Sequence, residues 1–425
     1  MTARWGMGKR MALLFAVVYF LLLTLYIPVH FIPIPPIPQL FHQYGSLSRA
    51  IVPWVAEHLL RIPMGPPAVT GNGSSDTLYN YVQLLCYVLC AVAMAVVWSL
   101  LDRKRPNYQR LETWFRLYLR LVLGITLIQY AVVKFVPAQF PPPSLSTLLE
   151  PYGDSSPMHL LWTFMGASTI YTLFAGLAEM LGGVLLFIPR TTTLGALIAL
   201  GAMSNVLMLN LGYDVPVKSW VFNLVLMSVV LLLPDLKRLA DFFVFNRRIE
   251  PSPVRPLFRR QRLNQAALAL QILFCVVLVA HDLYADHKFA ANIAARSNAP
   301  LFGIWAVDEF TLDGRLHPPL VTDTERWQHV IIEASDLMSV QSMDGTLRPM
   351  VLKLDSENKS LSITRPNNWT WRAEFSYENP RPGLLLLKGQ VDGRPVTATL
   401  RRVDESKFLL NSRGFRWISE DQFNR

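Results

Sequence analysis

The side chains in this chain that could do chemistry are charged and amide groups set inside long apolar runs. Arg116 and Arg120 stand one helical turn apart in one such run, and Lys134 closes it. Glu179 stands near the middle of the next run, and Asn205 and Asn210 in the one after. Asp214 and Lys218 flank the short turn 212–217. An ionisable group at hydrocarbon depth is costly, so it is the default candidate for proton relay or for holding a polar headgroup. At 1.5 Å per residue, Arg120 lies ~10 Å and Glu179 ~15 Å in from the same side of the bilayer. An Arg120–Glu179 ion pair is the expectation, with Asn205 as the third member of an intramembrane polar site. Lys134, Asn210, Asp214 and Lys218 fall at the opposite boundary and form a second candidate, a polar pocket, with Asp154 and His159 nearby. For Lys134 and Lys218 the competing reading is snorkelling to the interface. Glu179 lacks that reach. It is either a functional group or half of a structural buried pair.

Other chemistry is thinly represented. Cys86 and Cys90 share a helix face but at a spacing poorly suited to a disulfide, and small buried thiols are common in apolar helices. The chain has no His-x-x-x-His, His-Glu-x-x-His or Cys-x-x-Cys, so no metal site is expected. No glycine-rich phosphate loop precedes a helix. Gly182-Gly183 reads as a place where two helices approach closely.

The elements that must carry these groups follow from composition. The chain of 425 residues is 52% hydrophobic and 16% charged, against about a quarter charged in soluble domains. That excludes an ordinary soluble enzyme, a disordered chain and a coiled coil, and three cysteines exclude a disulfide scaffold. Seven runs are long enough to cross ~30 Å of hydrocarbon: 11–31, 79–101, 113–137, 168–189, 191–211, 218–233 and 266–283. The fourth has an apolar lead-in from 159. The first, despite its basic start, lacks a small-residue cleavage site and reads as an uncleaved span. Basic residues alternate between the connections: Arg4, Lys9 and Arg10; Arg103, Lys104, Arg105 and Arg110; Arg190; then eight between 237 and 262. The positive-inside rule places these segments in the cytoplasm and the C-terminal part outside. The net charge of +10 falls wholly on 1–290, since 291–425 balances 17 basic against 17 acidic residues. Topology accounts for the basic residues, and no nucleic-acid partner is implied. Residues 48–62 form an amphipathic helix, lying on the bilayer or packed against other spans. The proline-broken basic linker 247–262 reads as topology and contact with anionic lipid.

After Asp286 the period changes from helical to alternating. Trp369, Trp371, Ala373, Phe375 and Tyr377 share one face, and Val396, Ala398 and Leu400 another. Asp313-Gly314, Asp344-Gly345 and Asp392-Gly393 each separate two such runs as hairpin turns do. About eight strands fit 303–419 as an antiparallel barrel or sandwich. The aromatic face is either core or the lining of a ligand cavity. The fold class is therefore an α-helical polytopic membrane protein with a C-terminal all-β domain. It divides into 1–112, 113–238, 239–290 and 291–425.

Two resemblances follow from these residues. Gly303-Ile304-Trp305 on the first strand, with Arg416-Trp417 late in the chain, resembles the lipocalin-type barrel, where such groups pack at the closed end. Residues 117–236 resemble the DoxX-like membrane family. The resemblance rests on Arg120, Gly124 and Lys134, on Phe174 to Gly183 with Glu179 at its centre, and on the turn Asn210 to Lys218. The segment Gly153 to Pro157 is similar to an outer loop of some members. This resemblance implies a four-helix unit of the kind linked to respiratory oxidation of sulfur compounds, with quinone as acceptor, or to oxidative-stress complexes. The chain departs from it by two added spans before the unit, and one span plus the β domain after it. The first functional expectation is thus a quinone-linked membrane subunit working with a membrane or envelope protein partner. The alternative is a non-enzymatic scaffold or carrier whose β domain binds a lipid, peptide or envelope protein. The expected location is a bacterial inner membrane, N-terminus cytoplasmic and β domain periplasmic.

Overall fold

The computed structural model describes residues 4–27, 37–65, 74–251, 255–296, 298–366, 368–414 and 416–420. Among the described residues, seven helices are long and apolar enough to cross a membrane: Met7–Thr24, Leu78–Leu101, Gln109–Phe135, Thr169–Phe187, Pro189–Gly212, Lys218–Phe243 and Gln261–Ala291. They are numbered here as spans one to seven. The described chain forms two compact units. One is Met1–Phe135 with Leu173–Tyr284, and the other is Val136–Thr172 with Ala285–Arg425.

The helical unit is an integral membrane bundle with one shared apolar core. Val17, Ala91, Leu119, Leu186, Ala199, Leu224 and Cys275 bring all seven spans into it. Span two is apolar all round and only 11% buried, as suits a helix whose solvent is lipid. Span three is the opposite. It is the most enclosed, and Leu119, Leu123, Leu127 and Ile128 are fully buried. It therefore lies at the centre of the unit. Small residues let its neighbours close on it. A Cβ on Gly183 would lie 3.0 Å from the Gly124 carbonyl oxygen, and one on Gly195 would lie 3.1 Å from that of Gly182. Gly182-Gly183 thus serves two close crossings at once, to span three and to span five.

Local signals explain the ends. Thr77 caps span two through a reciprocal capping box with Asn80. The first span begins at Met7, earlier than expected, and residues 28–31 of its expected end lie outside the described residues. The apolar lead-in to span four is a separate helix, Pro157–Ala167, started by Ser156 as N-cap and Pro157 at its first position. Span seven continues as helix to Arg296. The amphipathic helix runs from Ile37 to His58. Its Val52, Val55 and Ala56 pack on Val82 of span two, while Leu47, Ile51 and Trp54 stay exposed. One face packs on a span and the other remains apolar and open.

The second unit is built around a closed antiparallel barrel. β1 (Gly303–Leu312), β2 (Arg315–Leu316), β3 (Trp327–Ile332), β4 (Leu337–Ser342), β5 (Leu347–Asp355), β6 (Ser360–Arg365), β7 (Asn368–Arg381), β8 (Leu384–Val391) and β9 (Arg394–Arg402) follow in order. Each barrel strand pairs with the next, β1 closes on β9, and short β2 folds back on β1, so eight strands form the wall. The barrel outcome, rather than a sandwich, removes every exposed edge. Asp313-Gly314 and Asp392-Gly393 both take positive φ at two successive residues, the backbone of a two-residue hairpin whose twist matches its strands. Ala373, Phe375 and Tyr377 face inward between outward Arg372, Glu374 and Ser376. The side chain of Trp369 lies outside the described residues. Phe310, Trp327 and Phe375 pack on one another in tilted and edge-to-face contacts at ring separations of 5.7 and 5.8 Å. The aromatic face is therefore core. The late arginine beside Gly303-Ile304-Trp305 is Arg402, which pairs with Trp305 across β1 and β9 and lies over Gly303. Arg416 and Trp417 are exposed after the last strand. Strand β9 ends at Arg402, so they fall outside the wall. The short helix Leu145–Leu149 docks on the barrel. The Ser146 amide donates to Glu333 (2.8 Å), and Gln341 donates to the Leu149 carbonyl (3.3 Å).

Candidate functional site

Glu179 is paired, and its partner is Lys134. Lys134 Nζ lies 2.8 Å from Glu179 Oε2, with side chains 6% and 2% exposed. The same ammonium donates to the Tyr130 carbonyl at 3.0 Å and stands 5.5 Å from the Tyr130 ring centre. Spans three and four thus close around one ion pair.

The expected Arg120–Glu179 pair does not form, and helix geometry gives the reason. Spans three and four run antiparallel, with Gly124 against Gly183 and Ala131 against Gly176. In that register Glu179 faces the stretch between Gly124 and Ala131. Side chains on a helix lean toward its N-terminus. Lys134 therefore leans back toward Glu179, and Arg120 leans away from it. Arg120 instead donates through Nε to the Leu186 carbonyl at 2.9 Å. Its Nη2 is buried and has no partner among the described residues.

The remaining candidates separate. Asn205 is exposed on span five, whereas Glu179 is buried. Asn210 is buried. Its carbonyl accepts from the Val215 amide at 3.0 Å, while its Nδ2 has no partner among the described residues. Asp214 and Lys218 form a surface ion pair at 2.8 Å, with Asp214 in the left-handed region at φ 51°. The four residues expected as one outer pocket are thus a buried lysine, a buried amide and an exposed pair. His159 stands 3.0 Å from Glu150 in the second unit.

Two features escaped the sequence reading. Asp76 caps span six from a distance, accepting from the Lys218 amide (2.6 Å) and the Ser219 amide (2.8 Å). A carboxylate there meets both the free amides and the helix dipole. Asp235 is a buried hub, 2.6 Å from Arg238, 3.9 Å from Arg116 and accepting from Thr193 at 2.8 Å. An acid directly following Leu-Leu-Pro at the end of an apolar run was its only signal. Cys86, Cys90 and Cys275 are free thiols.

Fold and site together define a seven-span integral membrane protein with a C-terminal eight-strand barrel and an ion pair buried in its bundle. The chain is 33% identical over 141 residues to the uncharacterized protein YwoB of Bacillus subtilis (strain 168), a match that takes in 33% of this chain and 87% of that relative. It belongs to one family with that protein. The relative is too short to hold both seven spans and a barrel, so this chain carries elements the relative lacks. No family model matches the chain, and no solved structure matches it significantly.

Proposed function

We propose that the protein is a DoxX-like membrane subunit of a redox system, working with a partner that supplies electrons and with quinone as their acceptor. The observation that supports this is the Lys134–Glu179 pair. Removing two charges from water costs several kcal/mol per ion before their attraction repays it, so a bundle that needs only stability has no reason to keep them. Quinone reduction takes up protons as well as electrons, and a buried ammonium beside a carboxylate is a group that can pass them. In this reading Lys134 would give its proton to a quinone oxygen, and Glu179 would take up a proton from the aqueous side, pass it to the neutral lysine amine, and so return to the carboxylate that holds the ammonium in place. The quinone supplies the two-electron chemistry when bound. The basic ends of the bundle face the cytoplasm and the barrel faces the periplasm of a bacterial inner membrane, as the charge alternation directs.

The test is mass spectrometry of small molecules that co-purify with the intact protein in mild detergent, for wild type and Glu179→Gln. Quinone present in the first and lost from a folded second supports the reading. Equal quinone in both, or none in either when membranes rich in quinone are used, refutes it.

A further inference from the structure

The arginines that do not serve the Lys134–Glu179 pair converge elsewhere. A cavity of about 780 Å³ opens among spans three, five, six and seven, within the roughly 300–1,000 Å³ of small-ligand sites. Arg116, Arg120, Arg190, Arg238 and Arg255 line it, against only two carboxylates, Glu112 and Asp235. Asp235 neutralises Arg238 at 2.6 Å and Glu112 neutralises Arg255 at 2.5 Å. Arg116 is farther from Asp235, at 3.9 Å. The cavity therefore holds three positive charges in excess. Apolar side chains make up most of the remaining wall, with Leu194, Leu197, Leu268, Phe242 and Phe243.

Two buried polar atoms in this wall have no partner among the described residues. One is Arg120 Nη2, a donor, and the other is Gln271 Oε1, an acceptor. Both residues are only 8% exposed. A buried guanidinium nitrogen without an acceptor costs more than an ordinary missing hydrogen bond. Excess positive charge with an unsatisfied guanidinium fits an anion, and guanidinium forks match phosphate oxygens. An unsatisfied amide oxygen in the same wall fits a hydroxyl donor. Apolar walls beside both fit the glycerol backbone and upper chains of a lipid rather than a fully hydrated ion.

We infer that this cavity is a binding site for the phosphodiester headgroup of an anionic, hydroxyl-bearing phospholipid of the phosphatidylglycerol type. Arg120 and Arg190 receive the phosphate, and Gln271 accepts from a headgroup hydroxyl. Arg238 at the end of span six and Arg255 in the linker, held by their carboxylates, form the rim. The site is independent of the quinone reading, because none of its groups touches Glu179.

The test uses the full-length protein, delipidated in dodecyl maltoside. Native mass spectrometry and thermal melting are followed during titration with phosphatidylglycerol, phosphatidylcholine or inorganic phosphate. The expected result is one tightly retained phosphatidylglycerol, with phosphatidylcholine bound at least tenfold more weakly. Loss of one charge-assisted hydrogen bond is worth about tenfold in affinity, so Arg120→Gln and Arg190→Gln should each weaken phosphatidylglycerol by about that factor. Arg190 is exposed, so its variant folds and decides the matter if Arg120→Gln does not. Equal binding of both lipids, or wild-type affinity in Arg190→Gln, overturns the inference. Stabilisation by inorganic phosphate equal to that by the lipid overturns the lipid and assigns the site to a soluble phosphate compound.

Discussion

The sharpest prediction concerns the energetics of Lys134 and Glu179 rather than their role. Side-chain exposures of 6% and 2% mean that neither charge can turn to water when its partner is removed. Breaking such a pair from one side costs about 3–5 kcal/mol, because it leaves a buried charge unpaired. Glu179→Leu and Lys134→Met should therefore each destabilise the bundle by about that amount. The double variant replaces both charges by apolar groups of similar volume and should come within about 1 kcal/mol of wild type, or exceed it. The coupling in the double-mutant cycle is then at least about 3 kcal/mol, well above the few tenths found for independent sites. Reversible unfolding in mixed micelles, read by tryptophan fluorescence, measures all four corners of the cycle. Single variants that cost under 1 kcal/mol, or a double variant as unstable as the sum of its singles, would refute the buried-pair argument. The double variant also separates stability from function. If the proposed role is right, it folds but does not retain quinone.

Three further outcomes follow from the geometry. A Cβ on Gly389 would lie 1.9 Å from the Glu374 carbonyl oxygen and 2.7 Å from the Phe375 Cα. Both are backbone atoms that cannot step aside, so Gly389→Ala should destabilise the barrel by more than the roughly 1–3 kcal/mol usual for overpacking, and an unchanged melting point would contradict the strand register. Asp76→Ala removes two amide acceptors from the start of span six, and should cost about 1–2 kcal/mol while speeding hydrogen exchange at Lys218 and Ser219. Wild-type exchange there would show that the cap carries no weight. Burial lowers the His329 pKa below its ordinary 6.5, partly offset by its hydrogen bond with Gln341. Between the two values the unfolded chain binds more protons than the folded one, so this contribution is complete above about pH 6.5 and falls away as pH drops through it. His329→Gln should flatten the barrel's stability between pH 7 and 5, and a slope identical to wild type would exclude His329 as its source.

The spans were legible because a bilayer demands length and apolarity from every crossing helix, and both are local properties. The barrel was legible for a related reason. Alternation in β7 and β9 and the Asp-Gly turns are local, and together they leave a closed meander as the economical arrangement. Pairing between elements was not local. Depth alone favoured Arg120 over Lys134 for Glu179, and the direction in which a helical side chain leans reversed that choice. The barrel arginine was misplaced for a comparable reason. Arg416 has the right neighbours in sequence, but β9 ends before it, and only register shows that Arg402 faces Trp305. The convergence of Arg190, Arg238 and Arg255 on Arg116 and Arg120 joins span three to two separate stretches, whose arginines alone read as ordinary cytoplasmic charge.

Span three connects these findings. Arg120 and Lys134 stand 14 residues apart on it, about 21 Å at helical rise, and each is buried with a different set of partners. One set is balanced, an ammonium against a carboxylate, with the Tyr130 carbonyl as the lysine's second acceptor. The other is unbalanced, with arginines in excess and an open cavity. A helix serving only as an anchor would bury neither. A balanced pair suits exchange of a proton, since transfer from the ammonium to the carboxylate leaves two neutral groups and strands no net charge. An unbalanced cluster suits permanent retention of an anion, because its electrostatic need persists at every pH where guanidinium stays charged. In the proposed reading the two ends of span three serve different tasks, turnover at Lys134 and fixed attachment at Arg120. Glu179→Gln and Arg190→Gln should accordingly have separable effects, the first on quinone retention without loss of lipid, the second on lipid without loss of quinone.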